Sequence, residues 1–521
     1  MANLVVCCDG TWNTPDDLDG GVPAPTNVRK LFNAVAKVDA DGKPQKTYYN
    51  AGVGTEGGWW NRAVGGGAGA GLARNVKSAY QWLAYNFRPD DRIFLFGFSR
   101  GAFTVRSLAG MINRCGLLDI TDPGLKPDAV WKRIDLAFDC YRTRKLTPKL
   151  TKLPFHHAAP TTNPAAMLDI HFIGVWDTVG ALGIPDDLGL LNLIDDPAKH
   201  QFHDTRLAAR VLHARHAVAI DERRQSFTPT FWTTETGDLE DRPGVKQVWF
   251  PGVHSDVGGG YGRTGLSDGA LAWMIAEASA PECGLAFDPA AVAQVVPDPR
   301  GTLHDSCRGV FSVLKTLPRG VPRLGSTTDG AFHDSATRRT TSPPIQQAPY
   351  WATETVAIGA PPRTIDIFAK ERWNATGLYL EPGTYRFTAS GEWLDGSIAC
   401  GPAGTADGRF QAGEIAQMAG SLLGKAETLF RTLSGNQQAD FWLTKRVEAY
   451  AWFALVGVVA NGRGADDKGV PYEHTVFEIG AGCTQVIKDG EGGYLYCFAN
   501  DAWQMYANNH GAVALTIERI A

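Results

Sequence analysis

The 521 residues, 44% of them hydrophobic and 20% charged, suffice for one large domain and a smaller one, or for two or three modest domains. A formal net charge of −5 and a pI near 6.2 exclude an overall basic field of the kind that draws proteins to nucleic acid, so no nucleic-acid partner is expected. Nine cysteines without a CxxC pair or a Cys/His metal spacing read as reduced thiols packed like small hydrophobes.

The opening MANLVVCCDG lacks a basic n-region and a long apolar core, so it reads as a first strand and not as a signal peptide. Synthesis in the cytoplasm is expected, with a signal-independent route if the protein is exported. From Leu4 to about Phe250 short apolar runs alternate with helical patterns. They are LVVCC, a helix from about Asn27, KTYYN, a helix over 73–87, RIFLFG with another helix after it, DIHFIGVW and KQVWF. This alternation predicts an α/β fold with a mostly parallel sheet covered on both faces. Chemistry is then expected beyond the carboxyl ends of the strands. His213 and His216, in VLHARHAVAI, lie in apolar or helical patterns and read as packed groups.

Residues 319–350 are rich in Pro, Gly, Ser and Thr without periodicity. The expected division is therefore a catalytic domain over 1–335, a linker over 336–349 and an all-β domain over 350–521. The last carries β-branched and aromatic runs such as GLYLEPGTYRFTASGEW, AYAWFALVGVV and GAVALTIERI. The apolar run over 449–460 is too short to span a bilayer. Ile415, Met418, Leu422, Ala426, Leu429 and Leu433 recur at helical spacing and predict a helical insertion near 414–433.

In RIFLFGFSRGAFTVRSLAGMI, Gly97-Phe98-Ser99-Arg100-Gly101 stands where a buried strand turns into a helix, the context of a nucleophile elbow. A serine hydroxyl is a poor nucleophile at neutral pH and needs a base and an orienting acid. His254, in the glycine-rich PGVHSDVGGGYG after KQVWF, fits the base. Asp177, directly after the strand in GVWDTVGALG, falls between Ser99 and His254 in the chain order of this fold; Asp256, in the histidine's own loop, is the rival acid. The oxyanion hole is expected from the backbone N–H of Arg100 and from Gly10 or Thr11 in CCDGTW, while Asp9 could serve as a structural hydrogen bond in that turn. The stretch GTEGGWWNRAVGGGAGAGLARN is not followed by GK[ST] and reads as a loop over the site, with Trp59 and Trp60 offering apolar surface.

Together CCDGTWN, GFSRGAFTVRSLAGMI, GVWDTVGALG, HAVAIDERRQSFTPTFW and GVHSDVGGGY resemble the DUF2235 family of α/β-hydrolases, which includes the type VI lipase effectors, phospholipases of the type VI secretion system. The resemblance covers roughly residues 1–330. It implies a Ser-Asp-His triad, carried here onto Ser99, Asp177 and His254, and serine phospholipase activity of A1 or A2 type on a membrane phospholipid. It also implies delivery into a rival bacterium, with secretion-apparatus and immunity proteins as partners. No cofactor is expected for catalysis.

Residues 350–521 are similar to calcium-dependent galactose-binding bacterial lectins, through GLYLEPGTYRFTASGEWLDG and GGYLYCFANDAWQMYANNHGAVALTI. This implies a lectin-like sandwich, a galactose-like sugar and Ca2+ held by Asp501, Asn508, Asn509, the Met505 carbonyl and Asp395, which replaces a tyrosine carbonyl. Such oxygen donors suit calcium. Two other readings stay open: an esterase for a small soluble or glycan ester, and a carbohydrate-binding effector or adaptor with an inert hydrolase domain.

Overall fold

Alternating side chains along the first strand divide between two cores, which is why its whole sequence is apolar. In β1 (Asn3–Cys8), Leu4, Val6 and Cys8 join one buried cluster while Val5 and Cys7 join another. The computed structural model describes residues 1–10, 18–52, 68–157, 159–160, 167–179, 207–233, 242–308, 314–325, 331–345, 350–405, 445–463 and 472–521. The expected helical insertion near 414–433 and the tryptophan-bearing loop at 59–60 lie outside the described residues.

β1 pairs in parallel with β2 (Gln45–Asn50) on one side and β3 (Arg92–Phe98) on the other. The sheet continues with β4 (Ile170–Trp176), β5 (Val211–Ala219) and β6 (Val245–Phe250), all parallel, in the order β2-β1-β3-β4-β5-β6. One face carries α1 (Asn27–Ala34), whose Val28 and Leu31 are fully buried, and the helix Gly265–Ser279. The other carries Ala68–Asn86, Arg100–Cys115 and Pro127–Thr143. A parallel sheet needs both faces covered, and the two clusters meet that need.

In the first unit the predicted strands and helices are present, and β5 is an addition. The VLHARHAVA run forms a strand where the sequence pattern suggested apolar or helical packing. Its histidines disguise the period of two; His216 sits buried in the strand and accepts a hydrogen bond from Thr178 N at 3.2 Å.

Register lines up the carboxyl ends. Cys8 pairs Gly97, Phe98 pairs Trp176, and Trp176 pairs Ala217, so Asp9, Ser99 and Asp177 leave the sheet side by side. The sheet order changes direction across β1, whose two neighbours are reached from opposite sides; such a switch point opens a crevice at the strand ends.

The second unit comprises Pro318–Ser326, Trp351–Arg463 and Glu473–Ala521, and the first Met1–Leu317, Thr327–Tyr350 and Gly464–Tyr472. The stretch expected as a linker is ordered otherwise: Asp334–Thr341 is a helix of the first unit, and its buried Arg339 donates to Pro299 O and Gly301 O, both at 2.8 Å. Charged and small residues hid this helix, because its anchor is an arginine and not an apolar stripe.

The second unit is all-β, with two antiparallel sheets. One has the order β8 (Asn374–Leu380), β15 (Gly493–Ala499), β12 (Trp452–Ala460), β11 (Ala403–Thr405), with β13 (Thr475–Glu478) beside β12. The other runs β10 (Ile398–Cys400), β9 (Gly383–Asp395), β16 (Asn509–Arg519), β7 (Arg363–Phe368), with β14 (Gly482–Ile487) beside β9. Val513, Leu515 and Ile517 from one sheet meet Leu455, Val459 and Leu495 from the other in a single core, the arrangement of a sandwich. The apolar run over 449–460 resolves into β12, and no described helix is long and apolar enough to cross a membrane.

Candidate active site

Ser99 stands between β3 and the helix Arg100–Cys115 with φ 55° and ψ −124°, a left-handed backbone that a non-glycine residue adopts only under constraint. The constraint is the tightness of the turn. A methyl group on Gly97 would lie 2.5 Å from Gly101 O, and one on Gly101 would lie 2.1 Å from Cys8 O, so only glycine allows the helix to pass this close to β1 and β3. The strain places the buried Ser99 at the amino end of a helix, where first-turn N–H groups lack intrahelical acceptors. Arg100 N–H belongs to that first turn, which suits the expected oxyanion donor.

Asp177, directly after β4, also has a positive φ, 34°. Its side chain is fully buried. Oδ1 accepts the Ala219 N–H at 2.9 Å, and Oδ2 is 2.6 Å from His254 Nδ1. This leaves Nε2 as the ring nitrogen that faces away from the carboxylate. Burial lowers the pKa of His254 from the usual 6.5; the adjacent Asp177 raises it in part, Arg224 lowers it and Glu222 raises it. The result is an imidazole held neutral at neutral pH, the state a general base requires. Two rings fix its plane: Phe98 at 4.5 Å between centroids and Phe227 edge-on at 5.0 Å.

Asp256, the rival acid, does other work. Its Oδ2 accepts Val253 N and His304 N, each at 3.1 Å, and its Oδ1 is 2.5 Å from His304 Nδ1. It caps the short helix His254–Gly258 and ties down the loop, and His254 bonds to Asp177 instead.

The Gly10 N–H, one of the two donors expected beside Arg100, donates to Asp9 Oδ1 at 2.8 Å within its own turn. Asp9 also accepts from Thr26 Oγ1 at 2.6 Å and Tyr49 Oη at 2.8 Å, making it the structural hub of that turn. Thr11, the alternative donor, lies outside the described residues.

Residues that sequence reasoning passed over are Glu222, Arg224 and Phe227. All come from the segment IDERRQSF directly after β5, where acidic and basic residues following a buried strand were the available signal.

In the second unit, the strand ends bring together four of the five expected calcium ligands. Asp395 at the end of β9 pairs in register with Asn509 at the start of β16, and Asn508 donates to Asp395 Oδ1. Asn509 Nδ2 donates to Asp501 Oδ2 at 2.9 Å, while its own Oδ1 is buried without a hydrogen-bond partner. An orphaned buried oxygen beside two carboxylates fits an oxygen-seeking cation. Met505 opens the short helix before Asn509, its N–H bonded to Ala502 O at 3.0 Å. Among the described residues no three His, Cys, Asp or Glu side chains group as metal ligands, so such a site depends on the amide oxygens.

Comparison with known proteins places these features in context. A curated relative, an uncharacterized protein of Saccharomyces cerevisiae, is 30% identical over 250 residues, covering 44% of this chain and 33% of its own length. Among solved structures, an uncharacterized protein from Pseudomonas aeruginosa matches with 18% identity and a TM-score of 0.36, over 58% of this chain and 49% of its own. The Tle1 effector bound to the VgrG spike of the type VI secretion system matches with 18% identity and a TM-score of 0.28, over 50% and 51%. The EclA N-terminal domain, a PllA-like lectin, matches with 14% identity and a TM-score of 0.17, over 30% of this chain and 94% of its own. The chain thus spans a third of the curated relative and about half of the first two structures. Residues 2–277, more than half of the chain, match the T6SS phospholipase effector Tle1-like catalytic domain, and the chain belongs to that family.

Proposed function

We propose that the first unit is a serine phospholipase that cleaves acyl esters of membrane phospholipids, with Ser99 as nucleophile, His254 as general base and Asp177 as the orienting acid. The observation that carries the reading is the buried Asp177–His254 bond, set at the same sheet edge as a strained serine at a helix amino end. Ser99 Oγ attacks the ester carbonyl and yields its proton to His254 Nε2, and the ester C–O bond breaks as the histidine passes that proton to the departing alcohol. A water, deprotonated by the same nitrogen, then releases the fatty acid and restores the serine. Arg100 N–H supplies one donor to the oxyanion. Family membership supports the phospholipid substrate, a target-cell membrane and carriage on a secretion spike, as for the Tle1 structure with VgrG.

In the second unit, Asp501, Asn508, Asn509, Asp395 and the Met505 carbonyl would hold Ca2+. The cation would neutralise the carboxylates and offer a positive centre to sugar hydroxyls, so that the unit directs the enzyme to a glycan-bearing surface. Calcium is expected to raise the thermal midpoint of this unit, with Asn509→Leu abolishing the rise. A midpoint indifferent to calcium in the parent protein contradicts the site.

Ser99→Ala is expected to abolish fatty-acid release from phospholipid vesicles, since loss of a triad serine costs on the order of a million-fold in turnover. Equal release by parent and variant rules out the nucleophile. No release by either, with soluble esters cleaved by the parent, moves the substrate to a soluble ester.

Because burial lowers the His254 pKa, the acidic limb of kcat/KM, on which the base protonates, is expected to have its midpoint below pH 6.5. Asp177→Asn should cost about 10⁴-fold in kcat through the wrong tautomer, and Asp256→Asn far less. The reverse ranking would make Asp256 the acid.

A further inference from the structure

Resting on the triad reading, we propose that Glu222 and Arg224 are positioning residues for the reaction, a buried ion pair that holds His254 through its backbone N–H and through the ring of Phe227. Neither residue touches the reacting atoms in the mechanism above, and both lie in the segment that leaves the carboxyl end of β5.

The geometry of the pair is unusually complete. Glu222 is 1% exposed, and its two oxygens receive six donors. Oε1 accepts Arg223 N at 3.0 Å, Arg224 N at 2.9 Å, Arg224 Nε at 2.9 Å and Ser306 Oγ at 2.9 Å. Oε2 accepts Arg224 Nη2 at 2.7 Å and His254 N at 3.2 Å. The two Arg224 bonds form the bidentate fork that suits guanidinium to carboxylate. The guanidinium lies 3.5 Å from the centroid of Phe227, whose ring in turn meets the His254 imidazole edge-on.

Burying two charges carries a desolvation penalty that their attraction often only offsets, so stability alone gives little reason for an ion pair here. What the ion pair supplies is direction. His254 is the first residue of a five-residue helix, and its N–H has no acceptor within that helix. Glu222 provides the acceptor and so sets where the backbone of the base sits, while Asp177 sets the tilt of its ring. Arg224 keeps the Glu222 carboxylate in place and presses Phe227 onto the imidazole. Arg223 and Gln225 anchor the segment from the other side, through Leu317 N to Arg223 O at 2.6 Å and Gln225 N to Lys315 O at 3.0 Å.

The pair also acts on the charge of the base, with opposite signs. Among the described residues, the charged groups that shift His254 most are Asp177 after β4 and Glu222 and Arg224 after β5. Asp256, on the histidine's own helix, is turned to His304, and Tyr261 and Cys307 lie against the pair with their own pKa values raised by burial. Removing the Glu222 charge should lower the pKa of His254, and removing the Arg224 charge should raise it.

The test is the rate at which a fluorophosphonate labels Ser99 as a function of pH, in the full chain and its Glu222→Gln, Arg224→Gln and doubly substituted forms. This readout follows the serine and its base without needing the lipid. Misplacement of the base by about 1 Å is worth roughly 100-fold, so Glu222→Gln is expected to label some 10- to 100-fold more slowly at neutral pH. Its acidic limb should move to lower pH, that of Arg224→Gln to higher pH, and that of the double form should return toward the parent. Circular dichroism and thermal midpoints separate this from unfolding; if Glu222→Gln does not fold, Arg224→Gln alone carries the test through the direction of its limb. Slower labelling with unmoved limbs in every folded variant overturns the proposal, as does labelling at the parent rate. A parent protein that does not label at Ser99 at all overturns the triad reading itself.

Discussion

A carboxylate with no exposed surface has to be satisfied where it stands, and Asp177 is satisfied from two sides, by the Ala219 N–H of the neighbouring strand and by His254. Leaving such a buried charge without its partner costs about 3–5 kcal/mol, a large part of the roughly 5–15 kcal/mol by which a domain is stable. The loop after β6 therefore has one place to go. Its histidine must return to the end of β4, and the glycines of PGVHSDVGGGYG make the return possible; a methyl on Gly258 would fall 1.9 Å from the Phe98 ring.

The same edge holds the other half of the chemistry by different means. Ser99 is kept in its strained backbone by covalent tightness, with glycines at 97 and 101 admitting the helix against β1 and β3. Asp9, at the end of β1, closes the adjacent turn through Gly10, Thr26 and Tyr49. Three parallel strands thus end in three side chains: Asp9 is structural, and in the proposed mechanism Ser99 is the nucleophile and Asp177 the orienting acid. The glutamate and arginine beyond β5 add a fourth support, applied to the histidine backbone.

Much of this was legible in the sequence because the signals were local. The apolar runs of β1, β3, β4 and β6, the elbow glycines and the single carboxylate directly after DIHFIGVW follow from period, turn geometry and chain order. β5 was hidden because His213, Arg215 and His216 interrupt its apolar alternation, and the helix Asp334–Thr341 because its buried anchor is Arg339. Chain order favoured Asp177 over Asp256, but spacing does not show that Asp256 caps a five-residue helix and bonds to His304, some fifty residues away. Nor does the sequence reveal that the Asp9 carboxylate folds back onto the N–H of Gly10. In the second unit the alternation of Val513, Leu515 and Ile517 announced a sandwich strand, while the cluster of Asp395 with Asn508 and Asn509 depended on register between strands more than a hundred residues apart.

In the proposed mechanism the buried Asp177–His254 pair activates Ser99. The most direct measurement is peptide mass mapping of the full chain after reaction with a fluorophosphonate, in the parent and in His254→Ala. One adduct per chain is expected, on Ser99, and it should be lost in the folded histidine variant. An adduct on another serine, or a Ser99 adduct formed equally fast without His254, would contradict it.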